Sequence, residues 1–238
     1  MVRGCWARRI LVPGSMRSVI LAQVVPLPIS SLLAAYGFSE GSGSTTADAS
    51  GNGHTMSLNT VSWGSGHSGF GLTNTAASLG ARAALTAPAN SVTIMAWIQP
   101  LDLTVNTTHA AFGFMDNGGN SDVVIFTQRA DFGTSNVLQG DIRLGGTLTP
   151  IYGPTLTVGT WTHIALTYNT SQIKLYKDGL LIATVAALGS ISPGDGLFVA
   201  GWSAATYEDS DVTIDDVRVF NTALSESQIA SAMRKSVV

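Results

Sequence analysis

The stretch that most constrains what this chain can become is residues 161–179, WTHIALTYNTSQIKLYKDG. Residues 161–168 and 172–176 read as two strands, and Asp178-Gly179 is a two-residue hairpin signal. A primed turn needs positive φ, which glycine takes freely and aspartate tolerates better than most residues. The return run 180–185, LLIATV, is aliphatic and β-branched. Strands joined this closely pair antiparallel, so the fold is all-β.

The same pattern recurs along the chain. Strands are expected at 32–38, 91–99, 109–115, 123–128, 141–144, 197–200 and 212–220, separated by turn residues; this spacing points to a sandwich or barrel. Residues 40–54, EGSGSTTADASGNGH, form a loop dense in Gly, Ser, Asp and Asn. One short helix is expected near the C-terminus. Ser225 and Gln228 make a capping box, Leu224 and Ile229 a hydrophobic staple, and Arg234 and Lys235 would stand at the cation-favouring end of the dipole. Residues 1–31 differ, with Arg3, Arg8, Arg9 and Arg17 ahead of an apolar stretch and Pro26 and Pro28. They read as a leader or linker, with a secretory signal as the alternative, and the fold is assigned to 32–238.

Composition narrows the partners. Hydrophobic residues make up 45% of the chain, enough for a sizeable core, while charged residues make up 11%, well under the ~25% of ordinary soluble domains. The surface is therefore covered by Ser, Thr, Asn and Gly, which suits an extracellular β domain. With net charge −3 and no basic stripe, nucleic acid is not an expected partner. Cys5 is the single cysteine, which excludes an internal disulfide and a cysteine-built zinc site. No apolar run approaches the ~20 residues of a membrane-spanning helix.

Four blocks in this order, 32–54, 91–100, 161–183 and 214–233 (IDDVRVFNTALSESQIASAM), resemble the laminin-G-like branch of the concanavalin A-like lectin/glucanase jelly rolls of bacterial surface and secreted proteins. The resemblance implies a two-sheet antiparallel jelly-roll sandwich, frequent carbohydrate or matrix recognition, neighbouring domains in a larger protein, and often a bound calcium ion. Ser39 departs from the pattern, where an acidic residue commonly precedes Glu40, and 103–152 matches no family pattern.

Ca2+ takes six to eight oxygen ligands from carboxylates, carbonyls and water. Asp48 and the turning backbone through Asn52 and His54 offer such oxygens, and the resemblance brings Asp215 or Asp216 to the same edge. Asp48 and Asp215 are the expected side-chain ligands of a structural calcium ion, with Asn52, the His54 carbonyl and Glu40 as further candidates. The competing role for Asp48 is to cap a turn.

For a glycan, an aromatic face and a few convergent polar groups are needed. Trp202 and Tyr207 in GWSAATYEDSD are the candidate platform, with Arg129 and Asp131, and also Asp116 and Asn117, as polar contacts. Trp97 and Trp161 are expected in the core, and His163 is expected to satisfy a local hydrogen bond. Catalysis has little footing. Glycosidases need a carboxylate pair, whereas the glutamates are Glu40, Glu208 and Glu226 alone, and the four histidines lack metal-ligand spacing. The expected role is non-catalytic carbohydrate recognition outside the cell. The alternative is a structural or adhesion module contacting protein, and glycan cleavage comes third.

Overall fold

The structure is a computed structural model that describes residues 26–75, 79–103, 109–115, 121–128, 137–194, 196–201 and 210–238. Its strands are β1 (Leu32–Tyr36), β2 (Thr45–Thr46), β3 (Met56–Leu58), β4 (Ser62–Ser65), β5 (Phe70–Asn74), β6 (Ala81–Ala83), β7 (Val92–Pro100) and β8 (His109–Met115). They continue as β9 (Ser121–Gln128), β10 (Gln139–Leu144), β11 (Thr147–Tyr152), β12 (Thr162–Tyr168), β13 (Gln172–Lys177), β14 (Leu180–Ala186), β15 (Gly196–Val199) and β16 (Val212–Phe220), with helix α1 (Glu226–Ala232) at the end.

Two eight-stranded antiparallel sheets face each other. One runs β14-β13-β12-β7-β16-β5-β4, with β1 also on β16; the other runs β11-β10-β9-β8-β15-β6-β3-β2. Non-consecutive neighbours such as β12-β7-β16 and β8-β15-β6 give the jelly-roll topology. The expected two-sheet sandwich with a short C-terminal helix is what forms. The expected hairpin forms as well, with Asp178 at φ 51° and Gly179 at φ 81°. The positive φ is what calls for glycine at 179, and a Cβ there would stand in tight contact, 3.1 Å from Met233 Sδ.

Alternation along each strand decides what is inside. Ile94, Ala96 and Ile98 of β7, and Ile164, Leu166 and Tyr168 of β12, enter the core between the sheets. Met95, Ala165, Tyr176 and Phe220 point to the opposite face, where Leu224, Ile229 and Ala232 cover them. Helix α1 exists to shield this second apolar face. Its capping box forms as expected, and Leu224 and Ile229 share one cluster. The helix ends at Ala232, so Arg234 and Lys235 fall outside it. The tail turns instead across the sheet, where Arg218 donates to the Lys235 carbonyl. Of the leader, the described residues lie against the fold: Leu27 packs on the helix cluster and Gln228 Nε2 donates to the Pro26 carbonyl at 3.3 Å.

Strand β16 carries one irregularity. Its register against β7 slips between Asp215 and Arg218, and Asp216 takes φ 52°. This bulge adds one residue and reverses the alternation. Ile214 faces the core before it and Val217 and Val219 face the core after it, while Arg218 is turned outward.

Candidate functional site

The loop expected to hold calcium is closed by hydrogen bonds from its own backbone and from β1. Asp48 Oδ1 accepts the N–H groups of Ala35 at 3.0 Å and Ser50 at 2.9 Å, and Oδ2 accepts that of His54 at 3.1 Å. These bonds hold the Asp48 carboxyl below its ordinary pKa, although partial burial acts the other way. Asn52 Nδ2 donates to the Leu32 and Leu33 carbonyls, and the His54 carbonyl accepts the Tyr36 hydroxyl at 2.6 Å. Glu40 accepts from Thr46 Oγ1 and, at 2.7 Å, from the Ala47 N–H. The loop thus stitches β1 to the strand pair β2-β3. Asp48, Asn52 and His54 come together in it.

Asp215 belongs to a different cluster on the outer face of the first sheet. Its Oδ2 accepts the Ser68 N–H at 2.9 Å and its Oδ1 the Asp216 N–H at 2.7 Å, so it shares no partner with Asp48. Burial is the main reason that its carboxyl is pushed up to about 6, with the neighbouring Asp216 acting in the same direction. Asp216 Oδ1 accepts the Val237 N–H at 2.5 Å and stands 4.0 Å from Arg218 Nη2, so the bulge anchors the C-terminal tail.

Two core expectations change here. Trp97 is half-buried on the outer face, stacked by His67 and bonded through Nε1 to the Met233 carbonyl at 3.3 Å. Trp161 precedes β12, half-buried and edge-on to His67. The reason is parity: Trp97 alternates with Ile98, which takes the inward position. His163 does not make the expected hydrogen bond. Both ring nitrogens are buried without a partner, and the ring meets Trp97 edge to face at 5.4 Å. Burial, helped by nearby Arg218, pulls its pKa down to about 3, so it is neutral. The sequence signal for this cluster was the slip of alternation at Asp215-Asp216.

Trp202, Tyr207, Arg129 and Asp131, with Asp116, Asn117 and Glu208, lie outside the described residues. The strand ends that flank two of their segments are described, and they meet. His109 pairs with Gln128, where β9 ends, and the Ala200 N–H donates to the Ala111 carbonyl where β15 ends. Strand β16 opens at Val212 opposite Pro100, the last residue of β7. So the described ends of β9 and β15 and the start of β8 lie at one end of the sandwich. A groove of about 300 Å³ lies elsewhere, between β12-β13 and the start of α1. Much of its polar lining is engaged, with Asn169 Oδ1 accepting from Ser171 and Gln172, and Glu226 Oε1 from the Leu181 N–H.

Among the described residues, two eight-stranded antiparallel sheets joined with non-consecutive neighbours make this a lectin-type jelly-roll domain. The chain belongs to the concanavalin A-like lectin/glucanases superfamily, whose laminin-G-type family model matches residues 71–230. No curated protein sequence matches it. Among solved structures it is similar to domain 4 of AbnA, an extracellular arabinanase from Geobacillus stearothermophilus, in complex with arabinotriose. The identity is 20% and the TM-score 0.59, over 85% of this chain and 98% of that one. It is also similar to the binding domain of Paraclostridial Mosquitocidal Protein 1, at 16% identity and TM-score 0.67, over 85% of this chain and 52% of that one. The ligand binding domain of botulinum neurotoxin serotype D, in complex with N-acetylneuraminic acid, matches at 14% identity and TM-score 0.66, over 87% and 51%. The chain spans about half the length of the two toxin domains. Among the described residues no helix is long and apolar enough to cross a membrane.

Proposed function

We propose that this domain is a non-catalytic carbohydrate-recognition module that acts outside the cell beside other domains, and that it contacts glycan at the end of the sandwich where β9 and β15 end. The observation that carries this is the likeness, over 85% of this chain and 98% of that one, to the arabinanase domain solved with arabinotriose. The toxin domain in complex with N-acetylneuraminic acid supports the same class of ligand. Trp202 and Tyr207 are the proposed ring platform, and Arg129 and Asp131 the proposed hydroxyl partners. Their strand neighbours meet at one end, which is what a shared site requires.

A structural calcium ion belongs to the proposal, with Asp48 as its anchor and Asn52, the His54 carbonyl and Glu40 around it. The ionised Asp48 carboxylate supports this, since Oδ2 accepts a single backbone N–H. Asp215 is left out because its oxygens are taken by the Ser68 and Asp216 N–H groups, away from the Asp48 loop. When bound, such an ion would supply cross-linking of the loop to β1.

The test is calorimetric titration of the purified protein with arabino-oligosaccharides and sialylated oligosaccharides, alongside a reducing-sugar assay on the same glycans. Saturable binding that weakens at least tenfold in Trp202→Ala, without release of reducing ends, is the expected result. Absence of binding to any glycan in an array, or release of reducing ends, overturns it.

A second reading, a protein-contact module, has one observation in its favour. The edge strand β14 exposes Leu180 (65%), Leu181 and Ile182 in succession. An apolar sheet edge of this kind pairs with another chain unless covered.

A further inference from the structure

We propose that Asn169 is an acceptor site for an N-linked oligosaccharide, carried on the turn between β12 and β13. Asn169-Thr170-Ser171 is an asparagine followed two positions later by a hydroxyl residue, with no proline between, the pattern that oligosaccharide transfer requires. Such a triplet carries nothing unless its amide is presented, and here the whole turn is. Asn169, Thr170, Ser171 and Gln172 are all exposed, and the chain reverses through Thr170 at φ 70°. By contrast, Asn52 and Asn74 give Nδ2 to main-chain carbonyls, and the residues two positions on are His54 and Ala76. The other matching triplet, Asn106-Thr107-Thr108, lies outside the described residues.

The side chain is held in a way that suits this chemistry. Asn169 Oδ1 accepts the Ser171 hydroxyl at 3.0 Å, the Ser171 N–H at 3.3 Å and the Gln172 N–H at 3.0 Å. This Asx-turn leaves Nδ2 with no hydrogen bond to the described protein. Donors on the oxygen draw charge toward it and acidify the Nδ2 protons. In the transfer, Nδ2 forms a bond to the anomeric carbon of a sugar carried on a polyprenyl diphosphate. The bond from that carbon to the diphosphate oxygen breaks, the diphosphate leaves with the electron pair, and Nδ2 gives one proton to a base of the transferase.

The surroundings leave room for the product. A groove of about 300 Å³ has Asn169, Gln172, Lys174 and Ser225 in its lining, so the first sugar has a polar surface beside it. Tyr168, next to Asn169, pairs with Val92, which opens β7. The glycan-contact end lies where β7 closes: the Ala200 carbonyl accepts Asn74 Nδ2, and Asn74 pairs with Val212, opposite Pro100. An oligosaccharide on Asn169 therefore stands clear of the recognition end. The inference rests on the proposed function in one respect, that the chain leaves the cell, since such transfer happens on that path.

The experiment secretes the full chain from yeast and maps its peptides by mass spectrometry before and after treatment with peptide N-glycosidase. Expected is an oligosaccharide on Asn169 in most molecules, with aspartate left at that position once the enzyme has removed it. Ser171→Thr should keep the modification, while Ser171→Ala and Asn169→Gln should lose it. Because Asn169→Gln also removes the acceptor of the turn, the two serine variants carry the decision if it fails to fold. No oligosaccharide on Asn169 of the parent, in cells that modify a control protein, overturns the site. So does modification of Asn106 alone, or modification of Asn169 that survives in Ser171→Ala. Calorimetric titration with the arabino- and sialylated oligosaccharides is repeated before and after removal of the attached glycan. Equal binding in the two states supports its place at the far end, and binding that appears only after removal overturns that placement. Absence of binding in both states counts against the recognition reading alone, because the peptide map decides the modification independently.

Discussion

His67 lies face to face on Trp97, with ring centroids 3.6 Å apart and planes 8° from parallel. His67 is exposed in the turn between β4 and β5, and the next residue gives its N–H to the buried Asp215. The turn is therefore held twice, by a ring contact and by a charge-assisted hydrogen bond. Its approach is close enough that a Cβ on Gly66 would stand 2.7 Å from Asp215 Oδ2.

His67→Ala is expected to lower the unfolding free energy by about 1 kcal/mol, the usual worth of such an aromatic contact. Urea denaturation measures the loss, and the near-ultraviolet circular dichroism of Trp97 should change with it. An unchanged spectrum and midpoint would mean that the stack contributes nothing in solution.

Asp215 and His163 give opposite pH dependences. The Asp215 carboxyl rises to about 6 in the folded chain from an ordinary 3.8, so the native state binds its proton more tightly than the unfolded chain does. Stability from this group grows as pH falls from about 6 to about 4, by an amount on the order of 3 kcal/mol. His163 falls to about 3 from 6.5, so the unfolded chain takes its proton first, and stability is lost as pH falls below about 6.5. The two slopes oppose each other between about pH 4 and 6. Asp215→Asn should therefore make acid destabilisation steeper in that window, and His163→Phe should make it shallower. Thermal melts at half-unit pH steps check this; two variants with the slope of the parent would remove the pairing.

Removing residues 235–238 should cost about 2–4 kcal/mol. Arg218 loses the Lys235 carbonyl and Asp216 the Val237 N–H, which leaves two buried charges short of partners. Removing Val238 alone, which is 98% exposed, should cost almost nothing. Chemical denaturation of the two truncations separates the effect of the anchors from that of shortening the chain.

Asp48→Ala is expected to lower stability by about 2 kcal/mol even in chelator, because the Ala35, Ser50 and His54 N–H groups lose their acceptor. In calcium the loss should be larger, by the linkage energy of the ion. Paired melts in calcium and in chelator decide it. Equal losses would remove the ion and leave Asp48 as a backbone anchor.

Much of the fold was legible in the residues, since strand alternation and turn chemistry act over a few positions. The hairpin at Asp178-Gly179, the capping box at Ser225 and Gln228, and the Leu224–Ile229 contact all depend on neighbours in the chain, and all formed. Strand β11 was missed because 147–152, TLTPIY, contains Pro150 and lacks clean alternation; edge pairing with β10 alone makes it a strand. The short β2 to β6 were hidden in Gly- and Ser-rich sequence for the same reason.

Function-bearing geometry depended on residues far apart in the chain. The outward turn of Trp97 and the partnerless ring of His163 follow from how β7 sits between β12 and β16. The Leu101 N–H reaches the Asp211 carbonyl only because the end of β7 meets the start of β16. The sequence by itself determined the long strands, the C-terminal helix and the family, because hydrogen-bonding periodicity and turn conformation are local properties of the chain. The tertiary structure alone decided which polar side chains are buried and which converge, because burial and distance arise only when strands distant in sequence are packed into one sandwich.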